Sequence, residues 1–286
     1  LGMISVGQNF SATSGGVITD SDVITVAGTA TFVTDVNDID IVLDSNNAIA
    51  GALTFTTQTG GTNGADITFD NGTTAISLAG FTTRGNLTLQ TDAAIALTGH
   101  TVNGDLTVTS DAAISQSAAV TVSGASSFTS TGTNANITLS TDSNALTGAV
   151  SAATAGTSGD VTIDNGTTAL NLGTLTVNGD LSIRGGNGIT DSGVITVVGT
   201  SLFTSDVTAK VITLDSTNAM TGAVSISHTG AADVAIDNGT TALNLGMISV
   251  GQNFSATSGG VITDSDVITV AGTATFVTDV NDIDIV

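Results

Sequence analysis

Residues 85–99 read GNLTLQTDAAIALTG, and residues 104–118 read GDLTVTSDAAISQSA. The two stretches are near-duplicates, set 19 residues apart. Within each, apolar residues alternate with small polar ones. Leu87 and Leu89 flank Thr88, and Leu106 and Val108 flank Thr107. That period of two is the signature of a strand with one apolar and one wet face. A strand this short cannot bury its apolar face alone. Stacking one coil on the next buries it continuously, and the backbones of neighbouring coils pair. The 19-residue step is therefore expected to be one coil of a solenoid, and a duplication is expected to insert a whole coil so that register survives.

Outward from this pair the chain repeats at two more levels. Residues 1–42 are identical to residues 245–286, which predicts a tandem unit of 244 residues at 1–244 and the start of the next unit at 245–286. Inside the unit, FDNGTTAISL at 69–78 returns as IDNGTTALNL at 163–172 and at 236–245. VITVAGTATF at 23–32 returns as AVTVSGASSF at 119–128 and VITVVGTSLF at 194–203. These phrases divide the unit into sub-repeats of about 1–77, 78–171 and 172–244. At about 19 residues per coil the unit holds 10–13 coils, rising roughly 50–60 Å at about 4.8 Å per coil.

Composition agrees with an all-β chain. All 25 acidic residues are Asp, and Pro, Cys, Trp and Tyr are missing. Without Glu, and with one Lys, the usual solvent-face helix formers are gone, while Thr, Val and Ile suit a pleated surface. Pro would remove a ladder donor, so its absence fits strands paired on both sides. At 40% hydrophobic the chain is rich enough to fold.

The net charge of −22, with Arg84, Arg184 and Lys210 as the only basic residues, excludes nucleic acid as a partner. It disfavours anionic membranes and favours divalent cations. No apolar run is long enough for a membrane-spanning helix. The chain opens at Leu1 with no basic leader and ends mid-pattern, so it is expected to be a piece of something longer.

The GNLTLQTDAAI, GDLTVTSDAAI and GDLSIRGGNGI stretches resemble coils of filamentous haemagglutinin-type bacterial adhesins and of other large repetitive bacterial surface proteins. The resemblance implies a right-handed parallel β-helix, secreted to or displayed on a prokaryotic cell surface, with an adhesive or scaffold role and no catalytic residues.

Candidate chemistry is sparse. Asp20, Asp22, Asp35, Asp38, Asp40 and Asp44 crowd into 25 residues, and the cluster recurs at Asp264, Asp266, Asp279, Asp282 and Asp284. Stacking could gather such oxygens around Ca²⁺, the one cofactor the sequence suggests. The alternative is a solvated acidic face. The DNG phrases at Asp70-Asn71-Gly72, Asp164-Asn165-Gly166 and Asp237-Asn238-Gly239 are expected to form turns, because Asn-Gly favours positive φ. Asn47, Asn144 and Asn218 are candidates for inward, hydrogen-bonding corners.

His100 and His228 are expected at the surface. No serine–histidine–acid set is suggested, and three basic residues with no Trp or Tyr make poor ground for a carbohydrate-cleaving site. The expected function is a structural extracellular filament or stalk, not an enzyme. A Ca²⁺-dependent adhesin or glycan-binding surface is the alternative. Expected partners are further copies, end to end or side by side, and cell-surface or matrix components.

Overall fold

The computed structural model describes residues 1–58, 64–207, 209–228, 230–279 and 284–286. Among them the chain is all-β, a parallel β-solenoid of about 13 turns with no helix. The alternation seen in the sequence becomes register. Leu87 lies on Leu106 and Leu89 on Val108, one coil apart, with Ile67 and Phe69 beneath them. All six are at most 1% exposed, and burying each such side chain contributes about 1.5–3 kcal/mol.

Each coil crosses two broad sheets in turn. The first runs through thirteen successive coils, from Ile18–Thr19 by way of Leu87–Thr91 and Leu106–Ser110 to Ala274–Thr278. The second begins with Phe10–Ser14, Ala30–Asn37 and Leu53–Gln58 and continues from Ile95–Thr98 to Ile262–Asp264. Leu78 joins its two parts, bridging to Leu53 and accepting the Thr98 hydroxyl.

Narrow sheets close the two edges. Ile4–Val6, Ile24–Val26 and Ala48–Ile49 lie where the chain passes from the first broad sheet to the second. Thr82–Thr83, Thr101–Val102, Thr121–Val122 and Ala145–Leu146 lie where it returns. Between the sheets runs one apolar core from Ile18 to Ile262.

Coil length varies more than a fixed 19 residues. The step is 19 from Leu87 to Leu106 and from Leu170 to Ile189, 20 from Ile67 to Leu87, and 26 from Ile41 to Ile67. The strands set the register, and slips in pairing absorb part of the variation, as between Val33 and Asn37 inside the strand Ala30–Asn37.

The copies do not repeat after whole turns, contrary to expectation. Phe10–Ser14 lies in the second broad sheet, but its identical copy Phe254–Ser258 lies in the first. Ile18–Thr19 is in the first, and its copy at Ile262 is in the second. From Ile18–Thr19 the first sheet makes eleven steps to Phe254–Ser258, and Ile262 lies one broad face further on. The 244-residue unit therefore winds eleven and a half turns.

The DNG phrases obey the same rule. Ile67–Asp70 and Val234–Asp237 lie in the first broad sheet, and Val161–Asp164 lies in the second. Both sheets turn the same apolar alternation inward and enter equivalent corners. Half a coil is thus the smallest interchangeable piece.

Candidate functional site

The chemistry-bearing side chains lie at the corners. In the three DNG turns, the Asp70, Asp164 and Asp237 carboxylates accept the N–H of Gly72, Gly166 and Gly239, each at 2.8 Å. Those glycines have φ of +51°, +56° and +54°, the left-handed region that glycine tolerates best.

The asparagine between them points inward. Asn71 Oδ1 accepts the Ile49 N–H at 2.8 Å, and its Nδ2 donates to the Ile49 and Ala75 carbonyls. Asn165 does the same for Leu146 and Ala169, and Asn238 for Met220 and Ala242. Each amide thus satisfies backbone groups of the coil below that the turn would leave orphaned.

Asn47, Asn144 and Asn218 are also buried at corners. Their Oδ1 atoms accept the N–H of Ile24, Val120 and Ile195, each at 2.8 Å. Asn47 donates to Asp20 at 2.7 Å and Asn218 to Asp191 at 2.8 Å, while Gln116 takes that place for Asn144 at 2.9 Å. Asp20 also accepts the Asp44 N–H at 3.1 Å.

A second device was present in the sequence but not read there. A corner Asp or Asn of one coil accepts a backbone N–H of the next. The series runs from Asp40 to Asp66 N–H at 2.9 Å, Asp66 to Asn86 at 2.7 Å, Asn86 to Asp105 at 2.8 Å and Asp105 to Ala125 at 2.8 Å. Asp160 to Asp180 and Asp180 to Thr200 continue it at 2.9 and 2.7 Å. Room for the incoming oxygen comes from a glycine. A Cβ on Gly104 would lie 2.4 Å from Asn86 Oδ1, and one on Gly124 2.2 Å from Asp105 Oδ1. The recurring Gly-Asn-Leu and Gly-Asp-Leu triplets were the legible signal.

The aspartates proposed for calcium are largely engaged by backbone. Asp22 accepts the Val23 N–H at 2.8 Å, Asp38 that of Gly64 at 2.9 Å, and Asp40 that of Asp66. Asp38 itself turns the chain with φ of +57°. Asp35 and Asp44 are exposed, as are Asp264, Asp266, Asp279 and Asp284 in the second copy, whereas Asp282 lies outside the described residues. Among the described residues no three acidic or histidine side chains converge as a metal cage.

One edge nevertheless concentrates charge. Burial pushes the Asp70 carboxyl up, Asp92, Asp20 and Asp44 add to this, and the Gly72 N–H opposes it. Burial likewise raises Asp191 against the hydrogen bonds from Asn218, Ser216 and Asp215. At the opposite edge, Arg184 reaches both neighbouring coils, to Asp164 at 2.9 Å and Asp206 at 2.6 Å.

The histidines are not surface residues. His100 and His228 are each 2% exposed. His100 packs edge-on against Phe81 with ring centroids 5.1 Å apart, and burial pushes its pKa down to about 4. The ring nitrogens of His228 face the carbonyls of Gly230 at 3.0 Å and Lys210 at 2.5 Å. Both rings are buried, and among the described residues neither joins a group of acidic or histidine side chains that could hold a metal.

The fold and its corners define a tandem-repeat β-solenoid. The chain belongs to the family described as repeats of unknown function (DUF5649), whose pattern matches residues 1–56, 84–153, 158–227 and 231–285. No curated protein and no solved structure matches it.

Proposed function

We propose that this chain is a structural module, a stiff rod that extends and spaces the parts of an extracellular stalk or filament and catalyses no reaction. The observation that carries this reading is the single apolar core, which passes through every coil from Ile18 to Ile262 without a break. Among the described residues one uninterrupted core ties each coil to the next, which is what makes a rod stiff. About 13 turns at about 4.8 Å each make it roughly 60 Å long.

The filamentous haemagglutinin-like stretches support display at a prokaryotic cell surface, and the charge of −22 keeps such a rod soluble. In this reading its partners are further copies and cell-surface or matrix components, and it needs no cofactor. Electron micrographs of the purified chain test it. Straight particles roughly 60 Å long are expected, and bent or compact particles would overturn it.

The second reading, a Ca²⁺-dependent adhesin or glycan-binding surface, is favoured by one observation. Asp44 and Asp92 are exposed beside Asp70 and add to its charge repulsion. Melting curves with Ca²⁺ and with EDTA test it. Asp44→Asn with Asp92→Asn removes two of these exposed charges beside Asp70 at little change in size. A Ca²⁺-induced rise in Tm that this pair abolishes would establish metal sites. No rise would leave an acidic face.

A further inference from the structure

Asn-Gly is a chemically labile pair, because glycine sets no Cβ beside the N–H that can attack the asparagine side-chain carbonyl. Six such pairs lie among the described residues, at Asn71, Asn103, Asn165, Asn178, Asn187 and Asn238, while Asn63 lies outside them. The fold treats the six unequally.

Three are locked. Asn71, Asn165 and Asn238 are at most 1% exposed. Each amide gives its oxygen to a backbone N–H and its nitrogen to at least two carbonyls. The attacking groups are held too, since the N–H groups of Gly72, Gly166 and Gly239 each donate to an aspartate at 2.8 Å. Reaction there would break all of these bonds inside the core, where an unpaired polar group is costly. Asn178 is tied more lightly. Its Nδ2 donates to the Thr154 carbonyl at 2.6 Å, and the Gly179 N–H donates to Gly159 at 2.9 Å.

Asn103 and Asn187 are exposed, and neither side chain makes a hydrogen bond among the described residues. They differ in the glycine that follows. The Gly104 N–H donates to Gly85 of the preceding coil at 3.1 Å, and the Gly104 carbonyl accepts Gly124 of the next at 3.0 Å. That peptide is clamped from both sides. The Gly188 N–H donates at 3.2 Å to Gly185, within the same corner. It can therefore turn away without breaking a contact between coils.

We propose that Asn187 is a site of spontaneous covalent modification, the corner at which this chain deamidates first. The Gly188 nitrogen gives its proton to hydroxide and bonds to Asn187 Cγ. The Cγ–Nδ2 bond breaks, and the amide nitrogen leaves as ammonia with a proton from water. Water then opens the succinimide at either carbonyl, leaving aspartate or isoaspartate. Nothing is oxidised or reduced, and water is the only co-reactant.

The new carboxylate arises in a corner that also holds basic residues. Arg184 precedes Asn187 by three positions, and a Cβ on Gly188 would lie 3.7 Å from that of Lys210. Two of the three basic residues of the chain thus stand where the acidic surface gains a charge. The chemistry is independent of the structural-rod reading.

Incubation of the folded chain at mildly alkaline pH, followed by peptide mapping in a mass spectrometer, tests it. A methyltransferase that labels isoaspartyl carboxylates separates the two products. Asn187 is expected to convert at least about tenfold faster than Asn71, Asn165 and Asn238, because a local opening of about 1.4 kcal/mol already slows a reaction by that factor. Asn103 should fall between. In concentrated urea the six sites should converge. An Asn187 that stays intact, trails Asn103 or converts no faster than the three locked sites would overturn the proposal. So would aspartate formed without isoaspartate, which needs no succinimide. A lead that persists in urea would show that neighbouring residues, not the fold, select Asn187, and would overturn it as well.

Discussion

His100 gives the sharpest test of the coil interior. In the unfolded chain its imidazole takes a proton near 6.5, whereas burial in the fold pushes the pKa down to about 4. The neutral ring is the form the fold accepts. Its stabilising contribution is therefore complete above pH 6.5. It is lost as pH falls toward 4, because the unfolded chain binds a proton that the folded one refuses. At about 1.4 kcal/mol per tenfold, the whole displacement is worth roughly 3 kcal/mol.

His100→Leu keeps an apolar body against Phe81 and removes the titration. Urea denaturation of both proteins from pH 7.5 to pH 4 is the assay. The carboxylates titrate in both, so the difference between the two curves isolates the histidine. The original chain should lose roughly 3 kcal/mol more than the variant over that range, with the divergence beginning near pH 6.5. Parallel curves would refute the claim that His100 is held neutral by burial.

Other residues give tests of opposite sign. Asp70 is raised by burial and by its acidic neighbours, so its ionised form costs stability as pH rises through the folded pKa. Asp70→Asn keeps an oxygen for the Gly72 N–H and should raise Tm at pH 7, with the gain shrinking by pH 3; a lower Tm at pH 7 would contradict this. Gly104→Ala places a Cβ 2.4 Å from Asn86 Oδ1 and 2.7 Å from the Gly85 carbonyl carbon. It should cost about 1–3 kcal/mol in overpacking, read as a lower urea midpoint, and an unchanged midpoint would show that the corner has slack. Deleting residues 161–233 joins two nearly identical phrases and removes three and a half turns. The shortened chain should fold to a rod shorter by roughly 17 Å, and a far-ultraviolet spectrum without β structure would refute half-turn equivalence.

The solenoid was legible because its strands are so regular. Leu87, Leu89, Leu106 and Val108 declare both the inward face and the 19-residue step, and no element of the described fold departs from strand and corner. The half turn was hidden for a physical reason. A sequence records which residues point inward, but the two broad sheets share one inward pattern, so nothing in FSATS distinguishes the sheet of Phe10 from that of Phe254.

The same degeneracy explains the misplaced histidines. A lone polar ring in a variable stretch reads as surface, and only the fold shows that His100 packs against Phe81. The acidic residues gained a role that their clustering did not announce. Asp38 and Asp40 stand out in the sequence because they cluster, and the stacked coils bring both within reach of a backbone N–H of the next coil, at Gly64 and Asp66. In a stack whose corners repeat, an Asp followed one coil later by a Gly-Asn or Gly-Asp pair is first a backbone acceptor. The charge it carries outward is what remains for any partner to read.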